Sequence, residues 1–260
     1  MKPLRLPSLC LLLGALSAQA QDVPTMLKAA DHYRMSAENL EVDTQVQVKN
    51  ADGTPDKERR YKVFVQAKRQ SLVLMQSPAE KGQKLLMLGD DFWLLMPESQ
   101  RPLRITPMQK LLGDASTGDI ANLRWADDYS GQVVAEALCE PPRSAGQAAT
   151  PAPEVTFPCL HLSLNATRKG VSYQRIELWL GKTRFEPLKA ELYVLSDKLA
   201  KQALFVFDKL VAPTLVTEMV LTDQISNHKT TQVRYLNRKP RQVPPEWLNP
   251  MFLVRNPPLE

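Results

Sequence analysis

Histidine, the side chain that most often moves protons near neutral pH, occurs only three times in this chain of 260 residues. These residues are His32, His161 and His228, and none stands in a His-Glu-x-x-His pattern or beside a second pair of metal ligands. The sequence also has no Gly-x-Ser-x-Gly turn that would expose a nucleophilic serine, and no Gly-rich phosphate-binding loop. The sequence therefore predicts no catalytic site, no metal and no cofactor, and we expect a protein that is not an enzyme.

Two pairs of adjacent carboxylates, Asp90-Asp91 and Asp127-Asp128, are the next candidates for chemistry. Two acids with different pKa values can divide the roles of general acid and general base. Adjacent acids at turns are more typical of solvated or capping residues, and we interpret both pairs in that way. The four tryptophans could stack a sugar or a base, but they are dispersed along the chain, which favours a packing role.

The cysteines point to a covalent link rather than to a reactive thiol. Cys139 and Cys159 flank a segment, 141–158, that is rich in Pro and Ala and cannot bury much apolar surface. In an oxidising compartment we expect a disulfide between the strands at the base of this loop. Two free thiols that pack as small apolar side chains are the alternative, and a metal site with His161 lacks a second ligand pair.

The first twenty residues predict export. Lys2 and Arg5 precede an apolar run from Leu9 to Leu16, and Ala18 and Ala20 fit the small-x-small rule for cleavage after residue 20. The run is too short to anchor the protein in a bilayer, so we expect a periplasmic protein secreted through a cleaved signal peptide. Loss of Lys2 and Arg5 lowers the formal charge from +5 to +3. This excess is too small to indicate nucleic-acid binding.

The remaining residues, 21–260, predict a single β domain with a loop insertion at about 141–158. A short amphipathic helix is expected from Pro24, and strands with a period of two follow from Val42 onward. Residues 107–112 and 118–125 interrupt the strands and predict short helices. Short connections favour antiparallel pairing, and so many strands favour a barrel or half-barrel that protects the sheet edges. The Pro-rich tail from Pro244 predicts a short helix and an extended strap.

Residues 89–97 resemble a motif of a known family. Their sequence, Gly-Asp-Asp-Phe-Trp-Leu-Leu-Met-Pro, resembles the Gly-x-x-hydrophobic-Trp-x-x-x-Pro hairpin of the LolA-like outer-membrane lipoprotein-sorting proteins. The order of signal peptide, opening helix, strand ending in Pro78, Trp hairpin, short helices and further strands is similar too. Leu95 stands where an aromatic residue is usual, and the Pro/Ala insertion is extra. The chain therefore resembles the broader branch of the family rather than LolA proper.

The resemblance implies a mainly β fold with short helices, namely an unclosed antiparallel β-barrel (half-barrel) covered by a helical lid. It implies that an apolar cavity takes up acyl chains of lipids or lipoproteins, which come from an inner-membrane transporter and pass to an outer-membrane acceptor. Burial of an acyl chain is worth about 0.8 kcal/mol per methylene. The alternative hypothesis is a periplasmic accessory subunit of a membrane export machine, with no lipid cargo and an exposed apolar patch.

Alternation along the strands predicts the residues that line such a cavity, although a register error of one residue would exchange the two faces. The predicted cavity-lining residues are Phe64, Leu74, Leu86, Leu88, Trp93, Leu178, Leu192 and Phe205. The predicted lid residues are Met108, Leu111, Leu112, Ile120, Leu123 and Trp125. LolA holds its lid with a basic side chain inside the cavity, and no arginine of this sequence stands in a matching motif.

Overall fold

The computed structural model describes residues 22–99, 101–106, 108–112, 115–116, 118–119, 124–144, 156–168, 170–225 and 229–259, with backbone alone at 110–112 and 144. The predicted signal peptide, residues 145–155 of the Pro/Ala segment, and the predicted lid residues Ile120 and Leu123 lie outside these ranges. Within the described ranges, no helix has the length and apolarity needed to cross a bilayer.

Most of the described chain is β-strand, as the period-two patterns predict. The strands are β1 (Leu40–Lys49), β2 (Pro55–Gln66), β3 (Gln70–Met75), β4 (Lys84–Leu88), β5 (Asp91–Leu95), β6 (Leu103–Ile105), β7 (Lys110–Leu112), β8 (Ala115–Ser116), β9 (Tyr129–Cys139), β10 (Arg143–Ser144), β11 (Phe157–Ala166), β12 (Arg175–Gly181), β13 (Pro187–Tyr193), β14 (Leu199–Phe207), β15 (Val216–Asp223) and β16 (Thr230–Pro240). The helices are α1 (Val23–Arg34), α2 (Trp125–Asp128) and α3 (Pro250–Leu253), with 3-10 turns at Pro78–Glu80 and Pro245–Leu248. The predicted opening helix and the predicted helix in the C-terminal tail are confirmed.

One large sheet contains every described strand except β7 and β8. Its order is β6-β5-β4-β3-β2-β1-β16-β15-β14-β13-β12-β11-β9, and β10 pairs with β14 beside this path. All neighbours along the path are antiparallel, and only β10 adds in parallel. In the described ranges β6 and β9, the two ends of the order, do not pair with each other. The sheet is therefore not closed, which confirms the predicted half-barrel class.

Alternation gives this sheet two apolar faces. On β3, Val73 and Met75 belong to a large cluster that includes α1, whereas Leu72 and Leu74 pack in a smaller cluster with the C-terminal tail. We call the first side the helix face and the second side the strap face, and we call residues 243–254 the strap. Both faces need a cover because both carry apolar side chains along the same strands.

Helix α1 covers part of the helix face. Its spacing places Met26, Leu27 and Ala30 on one buried side. Asp31 is buried as well, and its carboxylate accepts backbone N–H groups of Trp125 at 3.1 Å and Ala126 at 2.9 Å. Burial raises the pKa of Asp31, and Arg34 and these two hydrogen bonds only partly oppose that effect. Asp31 thus satisfies donors in the first turn of α2 and holds α2 against α1.

The structure differs from the sequence prediction between residues 107 and 125. Lys110–Leu112 form strand β7, which pairs with Ala115–Ser116, where a helix had been expected. A helix this short is marginal in water, and backbone pairing with Ala115–Ser116 satisfies these residues instead. Gly118 and Asp119, the first residues of the predicted helix 118–125, are helical, and helix α2 begins at Trp125, the position at which that predicted helix was to end.

The predicted disulfide is present between Cys139 of β9 and Cys159 of β11, with a Cα–Cα distance of 5.9 Å. The two strands are neighbours in the sheet, so the bridge closes the base of the Pro/Ala-rich insertion. Closing a loop of this 20-residue separation is worth about 3 kcal/mol in a chain-entropy estimate. The bridge therefore stabilises the edge of the sheet, and neither cysteine is a free thiol.

Candidate functional site

The helix face of β12–β14 presents an apolar wall. Leu178, Leu192 and Phe205 occupy inward positions on these strands and are between 0 % and 6 % exposed. We define the cover as Ala115, Ser116, Gly118 and Asp119 together with α2. Trp125, the first residue of α2, meets Phe205 edge to face, with 5.7 Å between ring centroids. The wall and the cover are therefore in direct aromatic contact.

A cavity of about 30 Å³ lies between the wall and the cover. Its apolar lining includes Ile176, Ala203 and Met219, and its polar lining includes Arg34 and Asp119. A buried water needs roughly 10–15 Å³ on this measure, so the cavity has room for about two water molecules. An acyl chain can therefore lie against the wall only if the cover moves away from it.

A buried ion pair joins the cover to the wall. Lys201 Nζ of β14 lies 2.7 Å from Asp119 Oδ2, and the two side chains are 4 % and 6 % exposed. The Tyr173 phenol donates to Asp119 Oδ1 at 3.0 Å, and Ser116 donates to Oδ2 through its backbone N–H at 2.9 Å and its hydroxyl at 2.8 Å. Burial raises the pKa of Asp119, but Lys201 and Ser116 outweigh this effect and hold the pKa below its ordinary value. An ionised carboxylate therefore holds the cover to the wall.

Lys201 and Tyr173 are not among the functional residues predicted from the sequence. Lys201 shares its strand parity with Ala203 and Phe205, so it projects from the apolar face of β14. A lysine at an inward strand position is a usable signal, because a buried ammonium group needs an anionic partner. Its partner could not be identified in the same way, since Asp119 lies 82 residues away in sequence.

One acid of each adjacent pair, Asp90 and Asp128, forms ion pairs with arginines. Asp128, at the end of α2, is 1 % exposed and contacts Arg168 at 2.8 Å and Arg69 at 3.3 Å. Asp90 contacts the same two arginines. Burial raises the pKa of Asp128 to about 6, against the lowering effect of Arg69. Arg69 lies between β2 and β3 and Arg168 follows β11, so the network links distant parts of the sheet order.

The structure does not bring the eight predicted cavity-lining residues together. Leu178, Leu192 and Phe205 lie on the helix face. The residues that lie on the strap face instead are Phe64, Leu74, Leu86, Leu88 and Trp93. Strands β2–β5 are apolar on both faces, so alternation along them is compatible with either parity. A cavity under the cover can involve only the three residues of the helix face.

The predicted lid residues have different positions in the structure. Trp125 is buried in the cover, and Met108 is partly buried against the same cluster. Leu111 and Leu112 lie in β7, for which only the backbone is described. Trp125 is thus the predicted lid residue for which a contact with the wall is seen.

The strap packs on the second apolar face of the sheet. Trp247 packs edge to face on Phe64, with 5.5 Å between ring centroids. Val243 and Leu253 of the strap are buried in the same cluster. The guanidinium of Arg241 lies 5.4 Å from the ring of Phe64 and 5.5 Å from that of Trp247. The chain's own C-terminal tail therefore covers the apolar side chains of β2–β5.

The outward residues of β11–β13 form a polar ladder around Trp179. Its ring is stacked on His161 at 4.4 Å, with Lys189 Nζ 4.6 Å from the ring centroid. These side chains leave little of the ring free to stack a sugar or a base. His161 Nε2 lies 2.7 Å from Glu177, and Ser163 donates to Glu177 at 2.9 Å rather than to His161. The ladder therefore does not have the hydrogen-bond order of a Ser-His-acid site.

A groove of about 430 Å³ lies outside the interior, between residues 138–143 and strands β12–β14. Leu188 and Leu204 contribute to its apolar lining. Its cations already have partners, because Arg143 contacts Glu140 at 2.6 Å and Lys189 contacts Glu191 at 2.7 Å. We therefore regard the smaller space under the cover, with its desolvated ion pair, as the stronger functional candidate.

A family model matches residues 67–255, and the description of that family is "Uncharacterized protein". No curated protein matches the chain. The chain is similar to the crystal structure of a LolA superfamily protein from Nitrosomonas europaea, with 26 % identity and a TM-score of 0.73. That match covers 86 % of this chain and 96 % of the other.

Two further solved structures have the same fold. One is an outer-membrane lipoprotein-sorting protein domain from Vibrio parahaemolyticus, with 16 % identity, a TM-score of 0.62, and coverage of 87 % of this chain and 95 % of that chain. The other is a DUF1329 family protein from Desulfovibrio piger, with 20 % identity, a TM-score of 0.63 and the same two coverages. At these identities the similarity shows the fold alone.

Proposed function

Since this chain belongs to the LolA-like outer-membrane lipoprotein-sorting proteins, in a branch outside LolA proper, we propose that it is a periplasmic carrier of acyl chains. It binds the chains of lipids or lipoproteins against the helix face, receives them from an inner-membrane transporter and moves them toward the outer membrane. The observation that carries this proposal is the apolar wall of Leu178, Leu192 and Phe205 beneath a separate, polar-latched cover.

The energetics favour a cover that opens rather than a permanent cavity. A methylene transferred from water to an apolar surface contributes about 0.8 kcal/mol, so a long acyl chain supplies more than enough free energy to displace a few side chains. Trp125 shields the wall while no cargo is bound, which keeps apolar surface out of water. Lys201 is a basic side chain beneath the cover, of the kind that the family resemblance implies for holding a lid.

The proposal is tested on the mature protein purified from the periplasm. We expect mass spectrometry of its organic extract to detect acylated species, and we expect the delipidated protein to take up a fluorescent fatty acid saturably. The wall beneath the cover provides one binding site per chain, so the binding curve should saturate near equimolar ligand. A clean extract together with no uptake contradicts the carrier function.

The accessory-subunit hypothesis remains a second candidate because the interior is nearly filled, with a cavity of only about 30 Å³. In that role the interior would stay dry, and an exposed apolar patch would bind the export machine. The uptake experiment separates the two functions, since an accessory subunit would not bind a free fatty acid.

A further inference from the structure

Two donors of the sheet converge on one carboxylate of the cover. Lys201 Nζ lies 2.7 Å from Asp119 Oδ2, and the Tyr173 hydroxyl lies 3.0 Å from Oδ1 and 3.2 Å from Oδ2. Lys201 belongs to β14, and Tyr173 directly precedes β12, so both donors stay with the sheet if the cover moves. Asp119 and its other donor, Ser116, belong to the cover and leave with it.

Opening the cover would therefore take the Asp119 carboxylate away from a buried ammonium and a buried phenol that stay with the wall. Lys201 is 3 % exposed and Tyr173 is 3 % exposed, beside Ile176 and Leu192. Burial and the nearby Asp119 raise the pKa of the Tyr173 phenol, so the hydroxyl remains protonated and can donate. A buried ammonium without an anion is strongly unfavourable, so a neutral hydrocarbon alone cannot replace what the cover supplies.

Building on the proposed carrier function, we infer that the cargo bears an anionic oxygen group at the end of its acyl chain, and that this group replaces the Asp119 carboxylate at Lys201 and Tyr173. A fatty-acid carboxylate and a phospholipid phosphate both have this chemistry, because each accepts two hydrogen bonds and carries the required charge. Asp119 then acts as an internal competitor that occupies the headgroup position while the carrier is empty.

The surrounding charges support this position for the anion. Arg34 is a cation that lines the cavity, and its guanidinium lies 4.1 Å above the ring of Trp125 and 3.2 Å from Asp31. The Tyr129 hydroxyl donates to the backbone carbonyl of Tyr173 at 2.9 Å, which keeps Tyr173 in place. With Asp119 displaced, Arg34 is the charged side chain that remains among the residues that line this space.

The test compares palmitate with its methyl ester on the intact mature protein, because the two share one tail and differ in charge. We expect the wild-type protein to bind palmitate at least about tenfold more tightly, as charged hydrogen bonds contribute about 1.5–3 kcal/mol each. Lys201→Met should remove this preference, and Tyr173→Phe should reduce it. The matched control is Lys189→Met on the outer face of β13, which should preserve the preference.

The outcomes separate the inference from the function on which it rests. Equal binding of palmitate and ester to the wild-type protein overturns the anionic-cargo inference but leaves the carrier function standing, whereas binding of neither ligand overturns both. If Lys201→Met does not fold by circular dichroism, Tyr173→Phe decides instead, because it removes one donor to the headgroup and should reduce the preference for palmitate over the ester. Phosphatidylglycerol vesicles then identify the source, since transfer from them favours a phosphate headgroup and uptake of palmitate alone favours a carboxylate.

Discussion

Leu192→Gln is expected to weaken uptake of a fluorescent fatty acid by at least tenfold, whereas Leu74→Gln leaves uptake close to the wild-type level. Leu192 faces the cover and Leu74 faces the strap, so the same substitution is made on opposite sides of one sheet. A glutamine amide on the binding wall must lose its water when the acyl chain lies against it, which costs about 1–3 kcal/mol on protein scales. Equilibrium titration of the two variants measures the difference.

The two variants also control for each other in stability, because each places an amide on an apolar face of the sheet. Equal loss of uptake in both would mean that general destabilisation explains the effect. Loss in Leu74→Gln alone would place the cargo beneath the strap and contradict the site.

The second large effect is on stability. Lys201→Met is expected to lower the free energy of unfolding by about 3–5 kcal/mol, because it leaves the Asp119 carboxylate buried without its cation. The double variant Lys201→Met with Asp119→Leu should recover most of that loss, since it removes both charges. Urea denaturation of the single and double variants measures the coupling between the two side chains.

A surface pair provides the comparison for this experiment. Lys189 and Glu191 also lie 2.7 Å apart, but their side chains are 36 % and 18 % exposed. Lys189→Met should therefore cost less than about 1 kcal/mol. If Lys201→Met lowers the free energy of unfolding by no more than Lys189→Met does, the ion pair between Asp119 and Lys201 does not hold the cover. The same conclusion follows if the double variant is no more stable than Lys201→Met.

The β architecture was accessible from the sequence because alternation is a local signal. Val42, Val46 and Val48 on β1 are buried in the pattern that their spacing predicts. The disulfide was accessible too, since compartment and spacing restricted the choice to Cys139 and Cys159.

The assignment of faces was less accessible, for a physical reason. In Leu72-Val73-Leu74-Met75 every residue is apolar, so the pattern does not show which parity faces α1 and which faces the strap. On β14 the sequence is more informative, because Gln202 lies between the inward residues Lys201 and Ala203. Leu178 and Leu192 follow Glu177 and Glu191, which mark the outer face of their strands, whereas Phe205 lies between Leu204 and Val206.

The ion pair between Asp119 and Lys201 could not be derived from the local sequence pattern. In the sequence, Asp119 looks like an ordinary helix-capping acid. Only the fold places it beside Lys201 and Tyr173. Likewise, the sequence shows Asp128 only as one of two adjacent acids. The structure places it beside Arg69 and Arg168, which are distant in sequence. Long-range polar contacts of this kind depend on the complete topology.

Photo-crosslinking with a fatty acid that carries a diazirine at its terminal carbon, followed by peptide mapping, locates the bound acyl chain on the protein. We expect the label on strands β12–β14 of the helix face, at residues such as Leu178, Leu192 and Phe205, and on the cover at Trp125. Label recovered beneath the strap at Phe64 or Trp93, in the outer groove, or nowhere on the protein would contradict this expectation.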